Sequence, residues 1–433
     1  AAGRLNALDA AELGDRGGLA RVAMGDNRTR MAERAAIVAE LRAVWERMAA
    51  LGPAAADYVA LRRGDRPTAA GLARQTAALP PGTALLSIFE SGPRVAAPKG
   101  EEGERQRLLL FLWRGGEASP RVVEVALDPD ALLYDYLSSY EDEVLNARNR
   151  QELRRLGRPL THRWRGLGLP LLGPLRSHLA GIDHLVIAPE GLYHQLPLHA
   201  LWLSEAGDTL IDHCAVSTIP ALGLLERLRR GGPEPQTATA AGDAVLGFTN
   251  ADPTTAEGAM ERDIFLGEAR AVAARLGVAP LLDDMATGAE LEKATARPLR
   301  WLHLSCHGYF NAGDALASGV LLADGVYTAR RFMERQLAAD LVTLSACQTG
   351  ISASLGGDEM AGLSMALLSA GASSLLLGLW SVSAVTTAFM MDHYYSRLNQ
   401  DGVNKAEALR QTMQALRDGG IILPQEGFDP SDP

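Results

Sequence analysis

Apolar side chains at Met31, Ala35, Ile37, Val38, Leu41, Val44, Trp45 and Met48 recur near helical spacing. The spacing predicts an amphipathic helix over Arg28–Leu51, with Pro53 as its stop. The surrounding residues 1–78 are rich in Ala, Leu, Arg and Glu and show no repeat of solenoid period. They read as a short helical region, compatible with the tail of a longer helical repeat. Pro80-Pro81-Gly82 then breaks the pattern. Short β-prone runs follow at Ala84–Phe89, Arg107–Trp113 and Arg121–Ala126, separated by Gly, Pro and charge clusters. A polar helix is predicted over Tyr134–Leu156. His184–Ala188 is a continuous apolar run before the turn Pro189-Glu190-Gly191, and Cys214–Ile219 is a further strand ended by Pro220. A helix is predicted over Pro220–Arg230.

A Gly- and Pro-rich stretch from Gly231 to about Asp243 reads as a linker. Beyond it strands and helices alternate. Strands are predicted at Ala244–Phe248, Pro280–Leu282, Arg300–Ser305, Asp340–Ser345 and Ser374–Trp380. Helices are predicted at Gly267–Leu276, Thr287–Thr295, Asp358–Ser369, Thr386–Leu398 and Lys405–Arg417. Apolar strands between helices imply an α/β fold with a mostly parallel sheet covered on both faces. The divisions predicted are a helical segment 1–78, one α/β half over 79–235 and a second over 236–433.

Composition narrows the function. The 433-residue chain carries 42 basic and 52 acidic residues, a formal net charge of −10. That balance argues against direct nucleic-acid binding, and the Arg-rich stretches near Arg148–Arg158 and Arg227–Arg230 read as solvated helix faces. Cys214, Cys306 and Cys347 are too few and odd in number for a disulfide framework, which suggests a reducing, cytoplasmic setting. No apolar run approaches the ~18 residues of a membrane span. The first residues lack the pattern of a signal peptide. No Gly-rich loop ending in Gly-Lys-Ser/Thr is present, so NTP hydrolysis is not expected.

Two strands end in reactive side chains. Leu302–Phe310 reads LHLSCHGYF and Leu341–Gly350 reads LVTLSACQTG. In parallel sheets active sites gather at the C-terminal ends of strands. If these strands are neighbours, ~4.8 Å apart, His307 and Cys347 lie within reach of each other. A thiol with an ordinary pKa near ~8.5 needs a base, which an adjacent imidazole supplies. His307 is therefore the candidate general base and Cys347 the nucleophile. The backbone N–H groups of Gly308 and Cys347 are candidates for an oxyanion hole. A buried cysteine and a turn histidine would be the bland readings of each taken singly. A zinc site from His303, Cys306, His307 and Cys347 is the weaker rival, because His303 and Cys306 point to opposite faces of a continuing strand.

These segments resemble the CHAT peptidases, bacterial relatives of caspases and separase. The resemblance rests on Leu302–Gly308, Thr343–Gly350, Gly356–Leu363 (GGDEMAGL), Ala370-Gly371 and Leu379–Val382 (LWSV), with His184–Leu201 upstream. It spans roughly residues 80–420. It implies a caspase-like fold of two related halves, the first without a catalytic pair, with His307 and Cys347 as the dyad and His303 at a structural position. It implies a regulated cysteine endopeptidase in a bacterial defence or stress pathway, needing no cofactor. Protein substrates in such systems include gasdermins, and activators include partner proteins and RNA-guided complexes. No membrane partner is implied. A non-catalytic scaffold is the alternative, and a small-molecule hydrolase or acyltransferase a third.

Two departures matter. After Leu379–Val382 the family commonly has acids, whereas this chain has Ser383-Ala384-Val385. That weakens the case for a basic P1 residue and favours a small or apolar one. The family's closing aromatic-rich strand has no counterpart after Lys405–Arg417, which leaves open whether the chain is a fragment. Asp358 and Glu359 are candidates for lining a substrate pocket, against the simpler reading of acids in a first helical turn. If they line it, Asp358→Ala changes cleavage preference across a peptide library; an unchanged profile rejects the pocket.

Overall fold

The computed structural model describes residues 39–40, 43–51, 59, 68–91, 107–125, 164–190, 193–194, 196–220, 222–225, 242–309, 315–345, 358–379 and 383–421. The helices predicted over Tyr134–Leu156 and most of Arg28–Leu51, and most of the linker from Gly231, lie outside them. Residues 39–40 and 43–49 are helical, as the apolar spacing requires.

Helix α1 (Ala69–Ala77) leads into a five-stranded sheet of order β3-β2-β1-β4-β5. Its strands are β1 (Thr83–Ser91), β2 (Arg107–Arg114), β3 (Arg121–Val125), β4 (His184–Ala188) and β5 (Ala215–Thr218). The sheet is mixed. β1, β2 and β3 form an antiparallel meander, while β1, β4 and β5 run parallel. Cys214, expected in β5, instead caps the short helix α2 (Leu210–His213), where its N–H donates to Leu210 O. Of the helix expected over Pro220–Arg230, the described part begins as a 3-10 turn, Leu222–Leu224.

A second five-stranded sheet, order β13-β12-β8-β6-β7, is parallel throughout. It comprises β6 (Gly242–Gly247), β7 (Leu281–Leu282), β8 (Leu299–Ser305), β12 (Ala339–Ser345) and β13 (Leu375–Leu377). Helices α3 (Ala256–Leu276), α4 (Gly288–Thr295), α5 (Ala329–Met333), α6 (Asp358–Ala370), α7 (Ala384–Leu398) and α8 (Lys405–Arg417) accompany it. Side-chain oxygens cap several of these helices. Thr255, Thr287, Thr328, Ser383 and Asn404 each accept from a backbone N–H of the first turn. One small sheet was not anticipated. The strands β9 (Gly308–Tyr309), β10 (Gly319–Leu322) and β11 (Gly325–Thr328) are too short to give a periodic signal.

Strand alternation splits β8 between two cores. Leu302, Leu304 and Cys306 pack with Leu363, Ala366 and Leu367 of α6 in one layer. Trp301 joins Ala269 and Val272 of α3 and Tyr394 and Tyr395 of α7 in the other. Burial on both faces explains the unbroken apolar runs. Inside the second layer His303 Nε2 lies 2.9 Å from Glu268 Oε1, with side chains 0% and 4% exposed. The Tyr395 ring meets His303 edge-on at 5.4 Å, and its hydroxyl donates to Thr343 Oγ1 at 2.9 Å. α8 reaches back to the first sheet's half. Arg410 Nε and Gln414 Nε2 donate to Ile211 O at 2.7 and 2.8 Å, and Arg417 pairs with Asp212.

Removing one member of a buried polar pair strands the other. Glu268→Ala is expected to lower unfolding free energy by roughly 3 kcal/mol. Urea denaturation checks this, and a loss below about 1 kcal/mol would show that His303 does not depend on Glu268.

Candidate active site

The in-register parallel pairing of β8 with β12 sets the site. Ser305 and Ser345, the last residues of the two strands, are partners, and Cys306 N donates to Ser345 O at 3.3 Å. His307 lies two residues beyond Ser305, and Cys347 two residues beyond Ser345. The two strands therefore end as partners at the same end of the sheet. Cys347 itself lies outside the described residues.

His307 continues the alternation of β8 and faces α3. Its Nε2 lies 2.8 Å from Glu261 Oε1 and 3.3 Å from Thr249 Oγ1, and its ring stacks obliquely on Phe265 at 4.7 Å. Thr249 follows β6 and is buried. Its hydroxyl donates a short bond to the same Glu261 oxygen and accepts from Ala251 N–H at 3.2 Å. Burial pushes the Glu261 carboxyl up, but hydrogen bonds from Thr249 and His307 outweigh it and hold the group below its ordinary value of 4.5. A carboxylate accepts only, so Nε2 carries the proton in this contact. In a neutral ring Nδ1 is then the basic nitrogen.

Two close approaches hold α3 where Glu261 can reach. A Cβ on Gly247 of β6 would sit 2.6 Å from Ala269 Cβ, and one on Gly258 would sit 2.0 Å from Asp252 O. Neighbouring Arg262 donates to Thr249 O at 3.5 Å and to Asp283 Oδ1 at 2.5 Å. Asp283, just beyond β7, takes a left-handed backbone at φ 50°.

Gly308 opens β9, and its pairing fixes where its backbone points. Gly308 is opposite Val320, and the adjoining bond runs from Leu321 N to His307 O at 2.8 Å. This is the signature of a non-hydrogen-bonded antiparallel pair, whose N–H and C=O point away from the partner strand. The Gly308 N–H is thus directed to the free edge of β9, as an oxyanion donor requires.

The remaining candidates are distributed as follows. α6 begins at Asp358, which puts Asp358 and Glu359 in its first turn; their side chains lie outside those described. His303 sits in the α3–α7 layer on Glu268, and Cys306 in the opposite layer, where burial pushes its thiol up to about 12. The two cannot share a ligand set. Among the described residues no group of three or more His, Cys, Asp or Glu is placed to hold a metal ion. In the first sheet Glu190 stands two residues beyond β4, and its carboxylate accepts from Glu90 N–H at 3.3 Å. β5 is followed by Ile219-Pro220. Among the described residues that sheet end carries no thiol–imidazole pair.

Residues 164–425 match the family model described as the CHAT domain, more than half of the chain. The chain belongs to the CHAT domain family. Among solved structures, the Arg-specific cysteine proteinase gingipain R (RGPB) is similar at 10% identity and TM-score 0.41, covering 67% of this chain and 70% of that one. The complex of Porphyromonas gingivalis RgpB pro- and mature domains is similar at 11% identity and TM-score 0.39, covering 69% and 74%. The comparison with curated proteins found no match. No helix among the described residues is long and apolar enough to cross a membrane.

Glu261 and Thr249 were not singled out from sequence. A signal was nonetheless present. Glu261 and Glu268 are two helical turns apart on α3, and His303 and His307 are four residues apart on β8 and its extension. Those separations are about 10 Å and 13 Å, so one helix face can meet both histidines.

Glu261 has a depressed folded-state value, so its contribution to stability is present above the ordinary value and fades as pH falls through the lowered one. The stability difference between wild type and Glu261→Gln should be largest above about pH 4.5 and shrink below it. Thermal unfolding across pH tests this, and a difference that grows on acidification would contradict it.

Proposed function

We propose that this CHAT domain is a cysteine endopeptidase working through His307 and Cys347. The observation that supports the reading is the Ser305–Ser345 register, in which the strands preceding His307 and Cys347 end as partners at one end of the sheet. In this mechanism His307 Nδ1 takes the Cys347 thiol proton. The thiolate attacks the scissile carbonyl carbon, forming the C–S bond while the carbonyl π pair moves onto oxygen. The Gly308 N–H, with that of Cys347, stabilises the oxyanion. Collapse breaks the C–N bond, and the imidazolium proton leaves on the amine. Water then attacks the thioester with His307 as base, and breaking the C–S bond releases the acid and restores the thiol.

The family resemblance adds a protein substrate, an activating partner and a role in bacterial defence or stress. Ser383-Ala384-Val385, where acids are common in the family, supports a small or apolar P1 residue. The test is a proteome-derived peptide library read by mass spectrometry, with and without candidate activators. Wild type should cleave it, and Cys347→Ala and His307→Ala should each lose about 10³-fold or more. Equal cleavage by Cys347→Ala would reject the assignment, and the absence of cleavage under all conditions would favour the scaffold reading.

A further inference from the structure

The contacts of His307 extend the reading above, on which this inference rests, to a third residue. We infer that Glu261, held by Thr249, is a positioning residue that keeps His307 in its Nε2–H form, so that Nδ1 is the nitrogen available to Cys347.

Three observations converge. First, Glu261 Oε1 takes both the His307 Nε2 contact at 2.8 Å and the Thr249 hydroxyl. The Thr249 proton is committed to the carboxylate, so the 3.3 Å approach of Nε2 to Thr249 Oγ1 can only be a second acceptor contact for the same N–H. Both neighbours of Nε2 demand a proton there. Second, the carboxylate is rigidly mounted. Gly247 and Gly258 leave no room for a side chain between α3 and its supports, and Arg262 ties the same turn of α3 to Thr249 O and Asp283. Third, the Phe265 ring covers one side of the imidazole and limits its rotation. An imidazole free to turn would present either nitrogen to the thiol; this one is fixed by a carboxylate, a hydroxyl and an aromatic face.

Among the described residues, Glu261 is the charged group in contact with His307. The Arg262–Asp283 pair lies one step farther on the same side, and the Cys306 thiol belongs to the opposite layer. The arrangement therefore rests on one anion. Replacing Glu261 by Gln keeps the size but adds an amide donor, which can turn to meet Nε2 and favour the Nδ1–H form. That form has no lone pair at Nδ1 with which to accept the thiol proton.

The experiment is nitrogen NMR of histidine-labelled protein, with His307→Ala to assign the signal, beside steady-state cleavage kinetics. Wild type should show His307 as the Nε2–H form. Glu261→Gln should shift it toward Nδ1–H and lower kcat roughly 10- to 100-fold with KM little changed. Thr249→Val, which keeps the carboxylate but frees it to rotate, should give a smaller shift in the same direction. Thermal unfolding confirms that each variant is folded, and Thr249→Val supplies the test if Glu261→Gln is not. An Nδ1–H ring in wild type, or a tautomer and kcat unmoved in the folded variants, would overturn the inference. The NMR signal does not require turnover. A wild-type protein that cleaves nothing would therefore count against the peptidase reading, while the tautomer still decides the role of Glu261.

Discussion

The parallel pairing of β8 with β12, residue for residue to Ser305 and Ser345, is the constraint on which the site depends. A shift of one residue would turn every side chain of β8 to the opposite face. It would expose His303 and Ser305 to the apolar α6 layer and carry His307 away from α3. The alternation of the two cores forbids that shift, because Leu302 and Leu304 fill one layer and Trp301 the other. Packing of the fold and placement of the imidazole are thus one problem with one solution.

α3 is the second fixed part. It lies between β6 and β8 in sequence, packs on the sheet through Ala269 and Val272, and carries Glu261 and Glu268 on the face that meets the two histidines. The deeper pair, His303–Glu268, is sealed from solvent and serves the core. The outer pair, His307–Glu261, is partly exposed at the sheet end and is open to chemistry. The same helix thus supplies one carboxylate to structure and one to the site. The close packing at Gly247 keeps the distance between helix and sheet short enough for both.

Much of this was legible in the chain. His184–Ala188 and Lys405–Arg417 were bounded correctly because each is a clean pattern with a stop at both ends. The neighbouring strands β8 and β12 were expected because reactive residues follow apolar runs in both segments, and the two do pair in parallel. α3 was read as starting at Gly267, whereas it starts at Ala256. Its first turns carry Glu257, Glu261, Arg262 and Asp263 and show no apolar stripe, since part of that face meets Thr249, His307 and Asp283 instead of the core. The signal failed where the helix meets His307 instead of the core. β9–β11 were missed because two- and four-residue strands are set by pairing with one another, which no local pattern reports.

Selective alkylation of the folded protein tests the central claim most directly. Burial pushes the Cys214 thiol up to about 11 and the Cys306 thiol up to about 12, so neither should react at neutral pH. Mass spectrometry after brief treatment with iodoacetamide should find Cys347 labelled, Cys214 and Cys306 intact, and labelling of Cys347 slowed several-fold or more in His307→Ala. A Cys347 that reacts no faster than an ordinary exposed thiol, at a rate indifferent to His307, would contradict the pairing of these two residues.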